Sequence, residues 1–174
     1  MTSRFRGMAA ILAVSLVLLQ AHSTLADGPS RSVQYPGVTV LTYAAPPLEA
    51  SVPEPAGCDH RLCLPQRIVL RNISGRLVAR AWVMLSFPET GSLGTPLGLF
   101  VGLNTEVGSA PALLAPDDRV TLEVLPAQVD ALDRALREQG RSLASLTQLN
   151  VLVTHVDFED GTYFVPPGHS PRGQ

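Results

Sequence analysis

Residues 67–87, RIVLRNISGRLVARAWVMLSF, decide how the rest of the chain folds around them. Ile68 and Leu70 alternate with Arg67, Val69 and Arg71, and Asn72-Ile73-Ser74-Gly75 then interrupts the run. In the second run Leu77, Ala79, Ala81, Val83, Leu85 and Phe87 fall on one face. Alternation of period two on both sides of an Asn/Ser/Gly break predicts two β-strands joined as a hairpin. Gly75 suits the positive φ that such a turn needs. Two strands cannot hide an apolar face of that size, so further strands must cover it.

Downstream, the segment 88–116 is rich in Gly, Pro, Ser and Thr, with a short apolar piece, 97–103, predicted as an edge strand. Asp117-Asp118 reads as a turn into 119–125, where Val120, Leu122 and Val124 alternate with Thr121 and Glu123 as in a half-buried strand. The period then changes. Pro126 suits a first helical turn, Val129, Leu132 and Leu136 follow at spacings of three and four, and Gly140 ends the segment. One amphipathic helix over 126–140 is predicted, its mixed-charge polar face arguing for core packing and not for a membrane surface. The segment 149–164, LNVLVTHVDFEDGTYF, closes the domain as a strand pair around Asp160-Gly161. Alternation puts Leu152, Val156 and Phe158 on one of its faces and Val151, Val153, His155 and Asp157 on the other.

Upstream, residues 1–26 read as a signal peptide. Arg4 and Arg6 precede an apolar run from Met8 to Leu19, and Thr24-Leu25-Ala26 places small residues for cleavage after Ala26. The expected product is exported, periplasmic or extracellular, with no membrane span after cleavage. Two of the 13 arginines and none of the 15 acidic residues lie in 1–26, leaving 11 against 15, a formal charge of −4. There is no lysine, which hints at a GC-rich bacterial source. A mildly acidic chain without a basic run has no electrostatic footprint for nucleic acid or an anionic membrane. The remaining length suits one domain: a Pro-rich N-terminal segment over 27–65 with a first strand near 38–43, a β core over 66–166, and a tail over 167–174. Residues 27–34 are expected to be a loose tail. Pro46, Pro47, Pro53 and Pro55 predict an extended linker over the surface or along a sheet edge.

The only two cysteines, Cys58 and Cys63, flank Asp59-His60-Arg61-Leu62. In an exported protein a disulfide closing this small loop is the default. The sharper alternative, a metal held by His60 and both thiolates, lacks the fourth ligand that structural zinc wants. The densest polar cluster is His155, Asp157, Glu159 and Asp160. Residues two apart on a strand share a face, so His155 and Asp157 could present an acid–base or metal pair. The plainer reading is a solvated strand face running into a turn, because no second cluster is in view. The chain has no G-x-S-x-G elbow, H-E-x-x-H, glycine-rich phosphate loop or C-x-x-C. No catalytic, cofactor or metal residue is assigned, and the expectation is a non-enzyme without cofactor. Asn72-Ile73-Ser74 matches a glycosylation sequon that is idle in a bacterial protein. Val78, Trp82 and Met84, on the face opposite the apolar one, form either a surface covered by the helix or a patch for an unknown protein partner. Packing of the helix over Trp82 is the expectation.

Ile68, Leu70, Asn72, Ser74, Gly75, Leu77 and Ala79, with the ending Val156, Phe158, Asp160, Gly161, Thr162 and Phe164, resemble the immunoglobulin-like β-sandwich domains of uncharacterised bacterial secreted proteins. The likeness covers 66–164 and its motifs are structural. It implies an immunoglobulin-like antiparallel sandwich of about seven strands, with the helix as an insertion, and it carries no catalytic residues. The functions that follow are an exported non-catalytic interaction or structural domain, an envelope assembly or accessory factor offering a strand edge, and, third, a small hydrolase or metalloenzyme.

Overall fold

The computed structural model of the chain describes residues 28–56, 62–93, 96–104 and 112–167. These residues are mostly β, with two sheets and one α-helix. The larger sheet contains β1 (Ser30–Tyr35), β2 (Val38–Thr42), β8 (Leu149–Phe158), β5 (Val78–Ser86) and β6 (Gly98–Leu103) in that order, with β9 (Tyr163–Phe164) also paired to β8. The smaller contains β3 (Leu48–Ser51), β4 (Arg67–Asn72) and β7 (Arg119–Glu123). One apolar core joins them, from Tyr35 to Phe158, and its fully buried members include Ile68, Leu70, Val83, Leu85, Phe87 and Val151. Among the described residues there are nine strands: β1 forms where a loose tail was expected and the four-residue β3 where an extended linker was expected, while β9 is the return strand predicted after Asp160-Gly161.

The decisive stretch folds differently from its prediction. Residues 67–72 and 78–86 are both strands, but β4 lies in the smaller sheet and β5 in the larger, so the two face each other across the core instead of pairing. The Asn72 side chain explains how. It is completely buried, donating to Arg76 O at 2.6 Å and Leu114 O at 2.9 Å, and accepting from Ser74 N at 3.0 Å and Ser74 Oγ at 2.7 Å. Backbone groups that a hairpin ladder would have satisfied are satisfied here by one side chain, which lets the chain cross between sheets. Gly75 takes φ +69° in that crossing, as a turn glycine should.

The N-terminal segment is built into both sheets. Residues expected to be a loose tail form β1, which pairs antiparallel with β2, and β2 runs parallel beside β8. The turn between β1 and β2 sits against the start of β8. Leu149 N donates to Gly37 O at 2.8 Å, and a Cβ on Gly37 would lie 2.6 Å from Thr147 O, so only glycine fits this φ +82° corner. Glu89 fastens the same region by accepting from Thr147 N, Thr147 Oγ1 and Gln148 N. Burial acts to raise the Glu89 pKa, but these hydrogen bonds outweigh it and hold the carboxyl below its ordinary range. Tyr35 is buried and donates its hydroxyl to Cys63 O at 2.9 Å. Within the Pro-rich stretch, β3 pairs antiparallel with β4 at the edge of the smaller sheet.

The helix α1 (Pro126–Glu138) follows β7 as predicted. Its Leu132 and Leu136 enter the common core, and Gln128 ties it to an edge strand, accepting from Leu125 N at 2.9 Å and donating to Phe100 O of β6 at 2.7 Å. The helix therefore lies along the side of the sandwich by β6 and does not cover Trp82. The expectation that it packs over that residue is corrected: its narrow apolar stripe is spent on the core. Among the described residues no helix is long and apolar enough to cross a membrane.

Candidate functional site

The two outward faces of the molecule differ in kind. On the smaller sheet, Arg67, Val69 and Arg71 of β4 stand beside Glu123, Thr121 and Arg119 of β7 and Glu49 and Ser51 of β3. Arg71 bonds Asp117 at 2.8 Å and lies 3.9 Å from Glu49, while Arg67 lies 4.0 Å from Glu123. This is a charged surface made for water. The larger sheet turns a different set outward, and two irregularities in its strands determine which residues those are.

The first is in β8. The pairing with β5 shifts between Val153 and His155, leaving Thr154 as an extra residue. Such a bulge reverses the alternation beyond it. Val151, Val153, Val156 and Phe158 thus all face the core, and Leu152, His155 and Asp157 all face outward. The simple alternation read from the sequence, which grouped Leu152 with Val156 and Phe158, fails at this point. The second irregularity lies between Val78 and Arg80. It turns Val78 into the core, where it is completely buried, and leaves Trp82 and Met84 outward and half-buried. Of the sequence-derived patch, Trp82 and Met84 share a face and Val78 does not.

Sheet register arranges the outward residues in rows across the strands. Asp157 and Arg80 form a charged row. Below it, Trp82 meets His155 edge to face with ring centroids 5.0 Å apart, and His155 stacks on Tyr163 of β9 at 5.8 Å with planes 7° apart. His155 Nε2 lies 2.7 Å from Asp157 Oδ1, which fixes the imidazole between the two larger rings. The next row runs Leu41–Leu152–Met84–Phe100, with Arg31 at the β1 end. Then comes a small polar row, Thr39–Asn150–Ser86–Gly98. Leu152 is 3 % exposed yet lies outside the core cluster, so its own outward neighbours shield it. Phe100 is 56 % and Tyr163 63 % exposed. An aromatic row and an aliphatic row, bounded by charged and polar rows, make an amphipathic platform.

The chemistry within reach of this platform is recognition. Aromatic and aliphatic side chains turned outward from a sheet can supply burial to an apolar surface, and the flanking polar rows can supply orientation. His155 and Asp157 form a dyad, but Thr154, the adjoining hydroxyl, donates to Trp82 O at 3.3 Å instead of toward the imidazole. Glu159 sits in the turn beyond β8, its N–H on Leu77 O, and Asp160 serves that turn by accepting from Thr162 and Arg76. Among the described residues no three His, Cys, Asp or Glu side chains gather as metal ligands. Residues 1–26, read from the sequence as a signal peptide, lie outside the described residues with Cys58, His60 and His169, and so does the expected Cys58–Cys63 pairing. Sequence reasoning missed Leu41, Leu152, Phe100 and Tyr163 as members of the platform. The exposed Phe100 on an edge strand was the one available signal. No protein-family model, curated protein or solved structure matches the chain.

Proposed function

We propose that this chain is an exported, non-catalytic interaction domain of the cell envelope or extracellular space. It acts as an immunoglobulin-like sandwich that docks a protein on the outward face of its larger sheet. The observation that carries this reading is the contrast between the two outer faces. One is charged and ion-paired, while the other exposes Phe100 and Tyr163 and leaves Trp82 and Met84 half-covered. Contiguous apolar surface of that kind on a rigid sheet is the usual mark of a docking site. The leader-like sequence 1–26 supports export.

A photo-crosslinking side chain at Met84, tested in the native envelope, should give a discrete protein adduct. The same group at Val69, outward on the smaller sheet, should give none. Equal labelling at both positions, or none at Met84, overturns the docking reading. A second reading, an assembly factor that offers a strand edge, is favoured by β1. This edge strand is exposed from Ser30 to Val33, with Val33 72 % exposed. Backbone-directed crosslinking at Val33 separates the two.

A further inference from the structure

We infer that the face of the larger sheet is covered by a second copy of this chain, in a two-fold dimer that lays β5 of one copy over β8 of the other. The inference rests on reading that face as a docking surface and names its occupant. Consider a two-fold axis between the copies, parallel to the strands and midway between β5 and β8. Rotation about it carries each β5 residue to a position above its own cross-strand neighbour in the partner. Within one sheet Arg80 neighbours Asp157, Trp82 neighbours His155, and Met84 neighbours Leu152. Across the dimer these become guanidinium on carboxylate and ring on ring, each made twice, with Met84 set over the side chains that shield the partner's Leu152.

The charges select this arrangement. Arg80 is exposed and makes no ion pair among the described residues, while Asp157 uses only Oδ1 on His155. Both therefore keep bonding capacity pointing away from the sheet, at the same level and with opposite sign. Self-complementarity of this kind is what an isologous interface requires. Shape agrees with charge. Tyr163 projects on the β9 side of His155, and Gly102, which has no side chain, flanks Trp82 on the β6 side. The two-fold carries each Tyr163, the β9 neighbour of Asp157, to the β6 side of the partner's Arg80, and its ring, which leans onto His155, toward the space beside the partner's Gly102. Four strand positions at ~4.8 Å and four rows at ~6.6 Å give about 500 Å² of flat area per copy, or about 1,000 Å² in all, where specific interfaces begin.

The test uses the exported protein in sedimentation velocity between about 1 and 200 µM, with two charge variants and a mixture. The wild type should dimerise. Arg80→Asp alone sets carboxylates against carboxylates, and Asp157→Arg alone sets guanidinium groups against each other, so each should be monomeric. Mixed in equal amounts they are complementary at both contacts, and a heterodimer should form at least about tenfold more tightly than either homodimer. Melting curves verify that both variants fold. If either does not, Met84→Gln, at the centre of the face, should weaken the wild-type dimer instead. Dimers that survive all these changes overturn the inference. A wild type that stays monomeric also overturns it, and Trp82 quenching then separates the two readings. A quencher-accessible Trp82 in that monomer leaves the docking face standing for another protein, whereas a shielded Trp82 sinks the docking reading as well.

Discussion

Replacing Asn72 with alanine removes four hydrogen bonds from one completely buried point where the chain crosses between sheets. The losses are unequal. Leu114 O keeps a bond from Val78 N at 3.1 Å, whereas Arg76 O is left with only a 3.5 Å contact from Ser74 Oγ. Ser74 is half-buried, and its hydroxyl can turn to water. One or two stranded polar groups at ~1–3 kcal/mol each, with the vacated side-chain volume, give an expected loss of about 2–4 kcal/mol. For a domain of this length that is roughly 6–12 °C in Tm, read by circular dichroism. Two companions sharpen the test. Ser74→Ala should cost only about 1 kcal/mol. Asn72→Asp keeps the acceptors for Ser74 but turns a carboxylate toward the carbonyls of Arg76 and Leu114. It should therefore be worse than alanine at neutral pH and recover, relative to wild type, as the medium is acidified. Asn72→Ala within about 0.5 kcal/mol of wild type would refute the idea that this side chain organises the crossing.

Burial, with the nearby Glu54 charge, pushes the Tyr35 hydroxyl up to about 12. A raised pKa favours the fold while the hydroxyl stays protonated, so that contribution is complete below pH 10 and lost as pH rises from 10 toward 12. Ultraviolet titration should show one late tyrosine, missing in Tyr35→Phe. The Asp160 carboxyl is held below its ordinary 3.8 by the Thr162 N–H, the Thr162 hydroxyl and Arg76. The sign is opposite: its contribution exists above the unfolded value and disappears as pH falls through the folded one, so Asp160→Asn should flatten the loss of stability below about pH 4. Cys58 and Cys63 are expected to be bonded if the chain is exported as proposed, two hydrogens lighter than the dithiol by intact mass; two alkylatable thiols would end that expectation. The loop is short, so the entropic gain falls at the low end of ~2–4 kcal/mol and the reduced protein should stay folded.

The strands of this molecule were legible wherever one face alternates without interruption, as in β4, β7 and most of β5. The helix was legible from its change of period and from Pro126. What the sequence hid is where neighbouring strands go. Asn72-Ile73-Ser74-Gly75 has the composition of a hairpin turn, and only the burial of Asn72 reveals a crossing between sheets. Alternation also conceals bulges. One extra residue at Thr154 and another between Val78 and Arg80 exchange the faces of everything beyond them. Val78 was therefore grouped with a surface it does not share, and Leu152 was separated from one it does. β1 was overlooked because its first four residues are exposed and carry little apolar pattern; Tyr35 is its one buried residue. Trp82 and Met84 were legible as surplus apolar residues on the second face of a strand. Their companions were not, because rows across a sheet follow from register and not from chain order.

Trp82 is the sole tryptophan, and its emission reports directly on the face at issue. Acrylamide quenching of the isolated protein across a dilution series tests the central claim that this face is an open docking surface. The expected signal is readily quenched and red-shifted at high dilution and becomes shielded as concentration rises. A blue, quencher-resistant signal at every dilution would place Trp82 inside the folded monomer and rule out an open docking face.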